Sequence, residues 1–125
     1  MNRSSADMVG SSGLISIQEA AQQIRNGGLV GFPTETVYGL GCDAFNRSAV
    51  QSLFTAKSRP LSNPLIVHVS AVRQIEWLVR RLPKAAEALM EELWPGPLTI
   101  VLPKSEYVPS NVTAGGDTVG IRMPA

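Results

Sequence analysis

The sequence predicts a layered αβ domain of the α+β kind, and three observations carry that expectation. Segments with helical apolar spacing alternate with short apolar or β-branched runs. Gly and Pro mark the boundaries between them. The chain has 125 residues, 44% of them apolar, which suits one ordinary domain with a core of its own.

The elements follow in order. Residues 1–13 are small and polar and read as a flexible tail, leaving a domain over residues 14–125. Ser16 followed by Glu19 is a capping-box pattern. Ile17, Ala20, Ala21 and Ile24 then form one apolar face, and Gly27 and Gly28 stop the helix. Leu29 to Phe32 reads as a buried strand that Pro33 ends. A loop rich in Thr and Gly is expected up to about Asp43. Asn46 caps a second helix with Ala49, Val50, Leu53 and Phe54 inward.

Pro60 and Pro64 keep the next stretch extended, and Leu65 to Val69 is a strand. Ser70 caps a third helix with Val72, Ile75 and Val79 inward. Pro83 opens a fourth in its first turn, with Ala86, Leu89, Met90 and Leu93 inward. Pro95-Gly96-Pro97 breaks it. Leu98 to Leu102 and Thr118 to Met123 are strands, separated by a loop from Tyr107 to Asp117. Trp77 and Trp94 read as core or rim packing.

Several function classes drop out. A net charge of +1 places any anion site in local clusters of Lys and Arg. One cysteine, Cys42, excludes an internal disulfide framework and a Cys-rich zinc site. A lone thiol fits a reducing compartment. No apolar run approaches the ~18 residues of a membrane helix, and a signal h-region is missing. These features point to a cytoplasmic protein. No Walker-A motif occurs. Gly39 to Ala44 matches G-x-G-x-x-A but lacks the full preceding strand and the helix opening on it that a dinucleotide site needs.

Four groups of residues invite a chemical reading. Thr34, Glu35, Thr36 and Tyr38 crowd a loop that leaves a strand, which suits a small zwitterion and equally an ordinary turn. Lys57 and Arg59 flank Ser58 at a helix exit stiffened by Pro60. They could hold phosphate, although alone the pair leans towards a solvated helix end. Asn63, between two prolines, could hold a nucleotide or cap a turn. His68 shares a strand face with Ile66, where a lone histidine is more often structural than a catalytic base. Arg122 shares a face with Thr118 and Gly120. A buried cation there needs an anion, and Gly120 leaves room for close approach. A ligand wall and a solvated edge strand both fit.

Together these segments resemble the YrdC family. The carriers are Gly31-Phe32-Pro33-Thr34-Glu35-Thr36-Val37-Tyr38-Gly39-Leu40-Gly41, then Lys57, Arg59, Pro60, Asn63, Pro64 and His68, then Val119 to Pro124. The resemblance implies a YrdC/RibB-like twisted mixed β-sheet flanked by helices. It implies synthesis of threonylcarbamoyl-AMP from L-threonine, bicarbonate and ATP, with release of pyrophosphate. A transferase complex would then modify adenosine 37 of tRNA. By the same resemblance Thr36, His68 and Arg122 contact threonine, and Thr34 and Tyr38 line its pocket. Arg59, Asn63 and Thr118 contact ATP, and Lys57 neutralises phosphate charge beside Arg59, so Lys57 and Arg59 carry the catalytic role. Mg²⁺ is expected with the nucleotide, held by phosphates and water rather than a protein cage.

The family pattern continues into a further strand and a Ser-x-Asn signature absent from this sequence. Residues 1–125 are therefore expected to be an incomplete, poorly active piece. Other readings are a carbamoyl-adenylate-forming domain of the hydrogenase-maturation type, an inactive truncated module, and a double-stranded RNA-binding module. Modest charge and the lack of an aromatic platform weaken the last.

Overall fold

In a computed structural model of the chain, residues 16–33 and 38–125 are described, without the side chains of Pro33 and Tyr38. The tail expected over residues 1–13 lies outside the described residues. Contacts divide the chain into two compact units, Met1–Pro60 and Leu61–Ala125.

The first unit begins with α1 (Ile17–Arg25). The capping box is present: Ser16 Oγ accepts from the Glu19 N–H at 3.1 Å, and Glu19 Oε1 accepts from the Ser16 N–H at 3.1 Å. The helix ends in a Schellman motif. Gly27 turns left-handed at φ 84°, its N–H donating to Ile24 O, while the Gly28 N–H donates to Gln23 O. The face expected to be buried is not. Ala20, Ala21 and Ile24 are half-buried and Ile17 is 86% exposed. Among the named elements α1 packs on β1, a strand of four residues.

That strand, β1 (Val30–Pro33), pairs antiparallel with β2 (Tyr38–Gly41), Phe32 opposite Gly39. The sequence reading placed loop over the whole of β2. Gly39 and Gly41 depress strand propensity, yet they are what the pairing uses. The Phe32 ring lies across them, so that a Cβ on Gly39 would come within 2.8 Å of Phe32 Cζ. An aromatic side chain on one strand is thus accommodated by missing side chains on the next.

An Asx turn leads onward, Asp43 Oδ1 accepting from the Phe45 N–H at 2.9 Å. Asn46 then caps α2 (Arg47–Lys57), its Oδ1 accepting from the Ala49 N–H at 3.0 Å. Ala49, Val50, Leu53 and Phe54 are all buried, as their spacing predicts.

The second unit is built on a mixed sheet. The strands are β3 (Ile66–His68), β4 (Thr99–Pro103) and β5 (Thr118–Arg122), in the order β3-β5-β4. The middle strand β5 runs parallel to β3 and antiparallel to β4. Val67, Ile100, Leu102, Val119 and Ile121 form its buried face.

Between β3 and β4 the structure departs from expectation twice. The helix expected after Ser70 is a 3₁₀ segment, Val72–Trp77, and Ser70 is not its side-chain cap. Instead Gln74 Oε1 reaches back to accept from the Ser70 and Ala71 N–H groups at 2.7 and 3.3 Å. The three-residue period aligns Ile75 with Leu78, both 1% exposed, and leaves Val72 at the exposed start. In α3 (Lys84–Leu93), Pro83 is the residue before the first turn rather than within it. The buried stripe runs through Ala86, Met90 and then Trp94, at i, i+4 and i+8. Leu89 and Leu93, expected inside, are about half exposed because they lie off that stripe.

Trp94 is core, and its Nε1–H donates to Leu98 O at 2.8 Å. Trp77 is exposed and meets the Tyr107 ring edge-on at 5.6 Å between centroids. Buried Ser105 satisfies its hydroxyl by donating to Trp77 O at 2.6 Å. The Gly96 N–H donates to Met123 O at 2.9 Å, fastening the Pro-Gly-Pro turn to the end of β5.

Gly27 gives the first testable consequence. Its left-handed φ disfavours any side chain, and a Cβ there would sit 3.1 Å from Nδ2 of Asn46, the residue that caps α2. Gly27→Ala is expected to destabilise the chain by about 1–2 kcal/mol, read as a lower urea midpoint at unchanged slope.

Candidate functional site

Along β5 the side chains alternate. Val119 and Ile121 enter the core, and Thr118, Gly120 and Arg122 take the opposite face. The register extends that face into cross-strand rows. One row is His68 on β3, Arg122 on β5 and Thr99 on β4. The next is Ile66, Gly120 and Val101, with Ile66 and Val101 exposed on either side of the glycine. Gly120 therefore makes a notch in the middle of the sheet face.

Arg122 is held rather than loose. Its Nε–H donates to Thr99 Oγ1 at 3.0 Å. Among the described residues no carboxylate is paired with its guanidinium. His68 lies directly across on the other side, and its imidazole is pushed below its usual pKa of 6.5. Partial burial of the ring is the larger cause and the Arg122 cation the smaller. At neutral pH the row therefore carries one positive charge, on Arg122, beside a neutral imidazole.

A cavity of about 500 Å³ opens beside His68, lined also by Val69, Ser70, Gln74, Pro95, Met123 and Pro124. It sits past the carboxyl ends of the parallel strands β3 and β5, where ligands of αβ sheets are usually bound. Thr118 lies on the Arg122 face but at the other end of β5, four residues and so roughly 13 Å along the strand. Asn63 lies in the bend that leads into β3.

In the first unit, Lys57 and Arg59 bracket the end of α2. Ser58 between them adopts a left-handed conformation, φ 50°, and the Arg59 N–H donates back to Phe54 O at 3.0 Å. A residue other than glycine in this conformation costs roughly 1–2 kcal/mol. It turns the chain sharply at the end of the helix. Thr34 and Thr36 fall outside the described residues, as does the side chain of Tyr38.

Thr118 and Arg122 thus share one face of β5 as strand periodicity predicts, and the β3–β5 register adds His68 to that surface. Sequence reasoning missed Thr99, whose only signal was a hydroxyl on a strand of unknown register. It also missed Ser70, Gln74, Pro95, Met123 and Pro124 as cavity lining. Among the described residues no helix is long and apolar enough to cross a membrane.

A mixed αβ fold with an arginine fixed beside a histidine on one sheet face defines a protein of the YrdC-like fold. The family Sua5_yciO_yrdC, described as telomere recombination, matches residues 22–125, and the chain belongs to it. It is 56% identical over 109 residues to threonylcarbamoyl-AMP synthase of Pyrococcus abyssi, covering 87% of this chain and 32% of that one. It is 50% identical over 109 residues to threonylcarbamoyl-AMP synthase of Bacillus subtilis, covering 86% of this chain and 32% of that one. The crystal structure of P. abyssi Sua5 complexed with L-threonine superposes with a TM-score of 0.82 at 56% identity, over 87% of this chain and 32% of that one. The chain spans about a third of the length of these relatives.

Two ionisable groups yield predictions. Burial, and secondarily Asp43, push the Cys42 thiol up to about 11. Since the thiolate is the reactive form, native Cys42 at pH 8 is expected to react with a disulfide reagent roughly a hundredfold more slowly than in the urea-unfolded chain. For His68 the folded pKa is depressed, so between the folded value and 6.5 the unfolded chain binds more protons. The stability this neutral histidine contributes is complete above 6.5 and declines as pH falls towards the folded value. His68→Gln is expected to flatten that acid-side decline when melting temperatures of the two chains are compared from pH 8 to pH 5.

Proposed function

We propose that this chain binds L-threonine and ATP in the synthesis of threonylcarbamoyl-AMP, from L-threonine, bicarbonate and ATP with release of pyrophosphate. The product would supply the threonylcarbamoyl group for adenosine 37 of tRNA through a separate transferase. The observation that carries this reading is the row His68, Arg122 and Thr99, which suits an amino acid. The Arg122 guanidinium takes the carboxylate as a planar fork. Neutral His68 accepts a hydrogen bond from the amino group without adding a second cation. Family membership and the threonine-bound relative support the choice of amino acid.

In the proposed reaction the threonine amine attacks carbon dioxide with loss of a proton, or bicarbonate with loss of water, to give a carbamate. A carbamate oxygen then attacks the α-phosphorus of ATP, and the bond to the β-phosphate oxygen breaks to release pyrophosphate. Arg59, Asn63 and Thr118 contact ATP in this reading, Lys57 neutralises phosphate charge, and Thr34, Thr36 and Tyr38 complete the threonine pocket. The side chains orient reactants and balance charge. Among the described residues no group of three His, Cys, Asp or Glu could hold a metal ion. In this reading Mg²⁺ would arrive with ATP, held by phosphate oxygens and water.

The test is pyrophosphate release by the full chain, assayed at high protein concentration because its turnover is expected to be slow, with L-threonine and bicarbonate supplied or withheld. Release is expected to need both. Arg59→Ala is expected to abolish it with the circular dichroism spectrum unchanged, and Arg122→Ala to raise the threonine KM by roughly 30-fold or more. Equal pyrophosphate release without threonine, or normal turnover by the Arg59 variant, would refute the reading.

A further inference from the structure

The side chain that fixes Arg122 is itself fixed, and by a glycine. Thr99 stands opposite Arg122 in the β4–β5 register, and Val101 stands opposite Gly120. The Thr99 hydroxyl oxygen meets Arg122 Nε at 3.0 Å. The Thr99 methyl points the other way along the sheet, where a Cβ on Gly120 would come within 3.3 Å of Thr99 Cγ2. A β-branched side chain has few χ1 choices. Here the methyl sits where a Cβ on Gly120 would crowd it, and the hydroxyl faces the arginine.

Occupying Nε has a geometric consequence. A guanidinium can grip a carboxylate side-on, through Nε and one Nη, or end-on, through Nη1 and Nη2. With Nε donating to Thr99, the end-on fork is the edge left for an anion. Among the described residues the Arg122 side chain makes no other hydrogen bond.

We infer that Thr99 is a positioning residue for the substrate carboxylate, holding Arg122 by Nε so that its Nη1–Nη2 edge meets the ligand, with Gly120 keeping Thr99 in the required rotamer. The carboxylate ligand rests on the function proposed above, whereas the Nε contact does not. Thr99→Ser keeps the hydroxyl but loses the methyl that orients it. Thr99→Val keeps the shape and loses the acceptor.

The two parts are tested separately in the full chain. The first readout is the ¹⁵N-resolved Arg122 Nε–H signal, assigned by its disappearance in Arg122→Lys. It is expected to exchange slowly with water in the unaltered chain, somewhat faster in Thr99→Ser, and at least about tenfold faster in Thr99→Val, the loss expected for a hydrogen bond to a charged group. An Nε–H that exchanges equally fast in the unaltered chain and in Thr99→Val overturns the inference. The second readout is calorimetric affinity for L-threonine and for L-threoninol, which lacks the carboxylate. Thr99→Val is expected to weaken threonine about tenfold and leave threoninol unchanged, at an unaltered melting temperature. Equal weakening of both ligands means a merely structural role and overturns the inference. Slow Nε–H exchange in a chain that binds no threonine would instead sink the proposed substrate and leave the arginine anchor standing.

Discussion

The pairing of β5 between β3 and β4 is the constraint on which the second unit depends. A central strand donates and accepts on both edges, so its register fixes both neighbours at once. Ile121 is fully buried and Val119 nearly so, and a one-residue slip would send both to the surface and Arg122 into the core. Burying an unpaired guanidinium is far costlier than exposing it. The core and the candidate site therefore enforce the same register from opposite faces. Edge contacts reinforce it. The Val69 N–H donates to Arg122 O and the Gly96 N–H to Met123 O, so the backbone around Arg122 is tied on both sides.

With the backbone fixed, the electrostatics follow from small details. A cation and an imidazole placed side by side repel when both are charged, and here the arginine cannot lose its proton. The histidine gives way: partial burial lowers its pKa most, and the Arg122 cation pushes it further in the same direction. One charge remains, and Thr99 sets the direction in which it points. A lysine in place of Arg122 would keep the charge but lose both the Nε anchor and the planar fork. The specificity of such a surface comes from how few ways the cation can face, more than from its charge.

Much of this was legible in the sequence, and what was not shares a physical cause. The capping box at Ser16, the Asn46 cap, the inner face of α2 and the alternation of β5 are local patterns, and all are present. Periodicity alone puts His68 beside Ile66 on β3 and Arg122 beside Thr118 on β5; that the two faces adjoin comes from the β3–β5 register, which no local pattern carries. The second strand of the hairpin was hidden because Gly39 and Gly41 have poor strand propensity alone; their fitness lies in the Phe32 ring opposite. Thr99 was hidden for the same reason, since its partner is 23 residues away in sequence. Leu89 and Leu93 were misplaced because helical spacing gives a stripe but not its centre, and the stripe that is buried runs through Ala86, Met90 and Trp94. Each miss is a relation between two elements, where each success lies within one.

The two glycines on the sheet faces show how such relations are built. In the hairpin, Gly39 admits an aromatic ring; on β5, Gly120 admits a threonine methyl. In both places the missing side chain is a vacancy that orients a neighbour on the adjacent strand. The energetic cost is the usual loss of strand propensity for glycine, of order 1 kcal/mol. On β5 it is offset by a structural return, because the methyl seated in that vacancy leaves its hydroxyl facing Arg122. Gly120→Ala would then act at a distance. It would disturb no ligand atom directly, yet it would crowd the Thr99 methyl and turn the hydroxyl from the guanidinium. The notch is therefore better understood as part of the arginine's support than as empty space for a ligand alone.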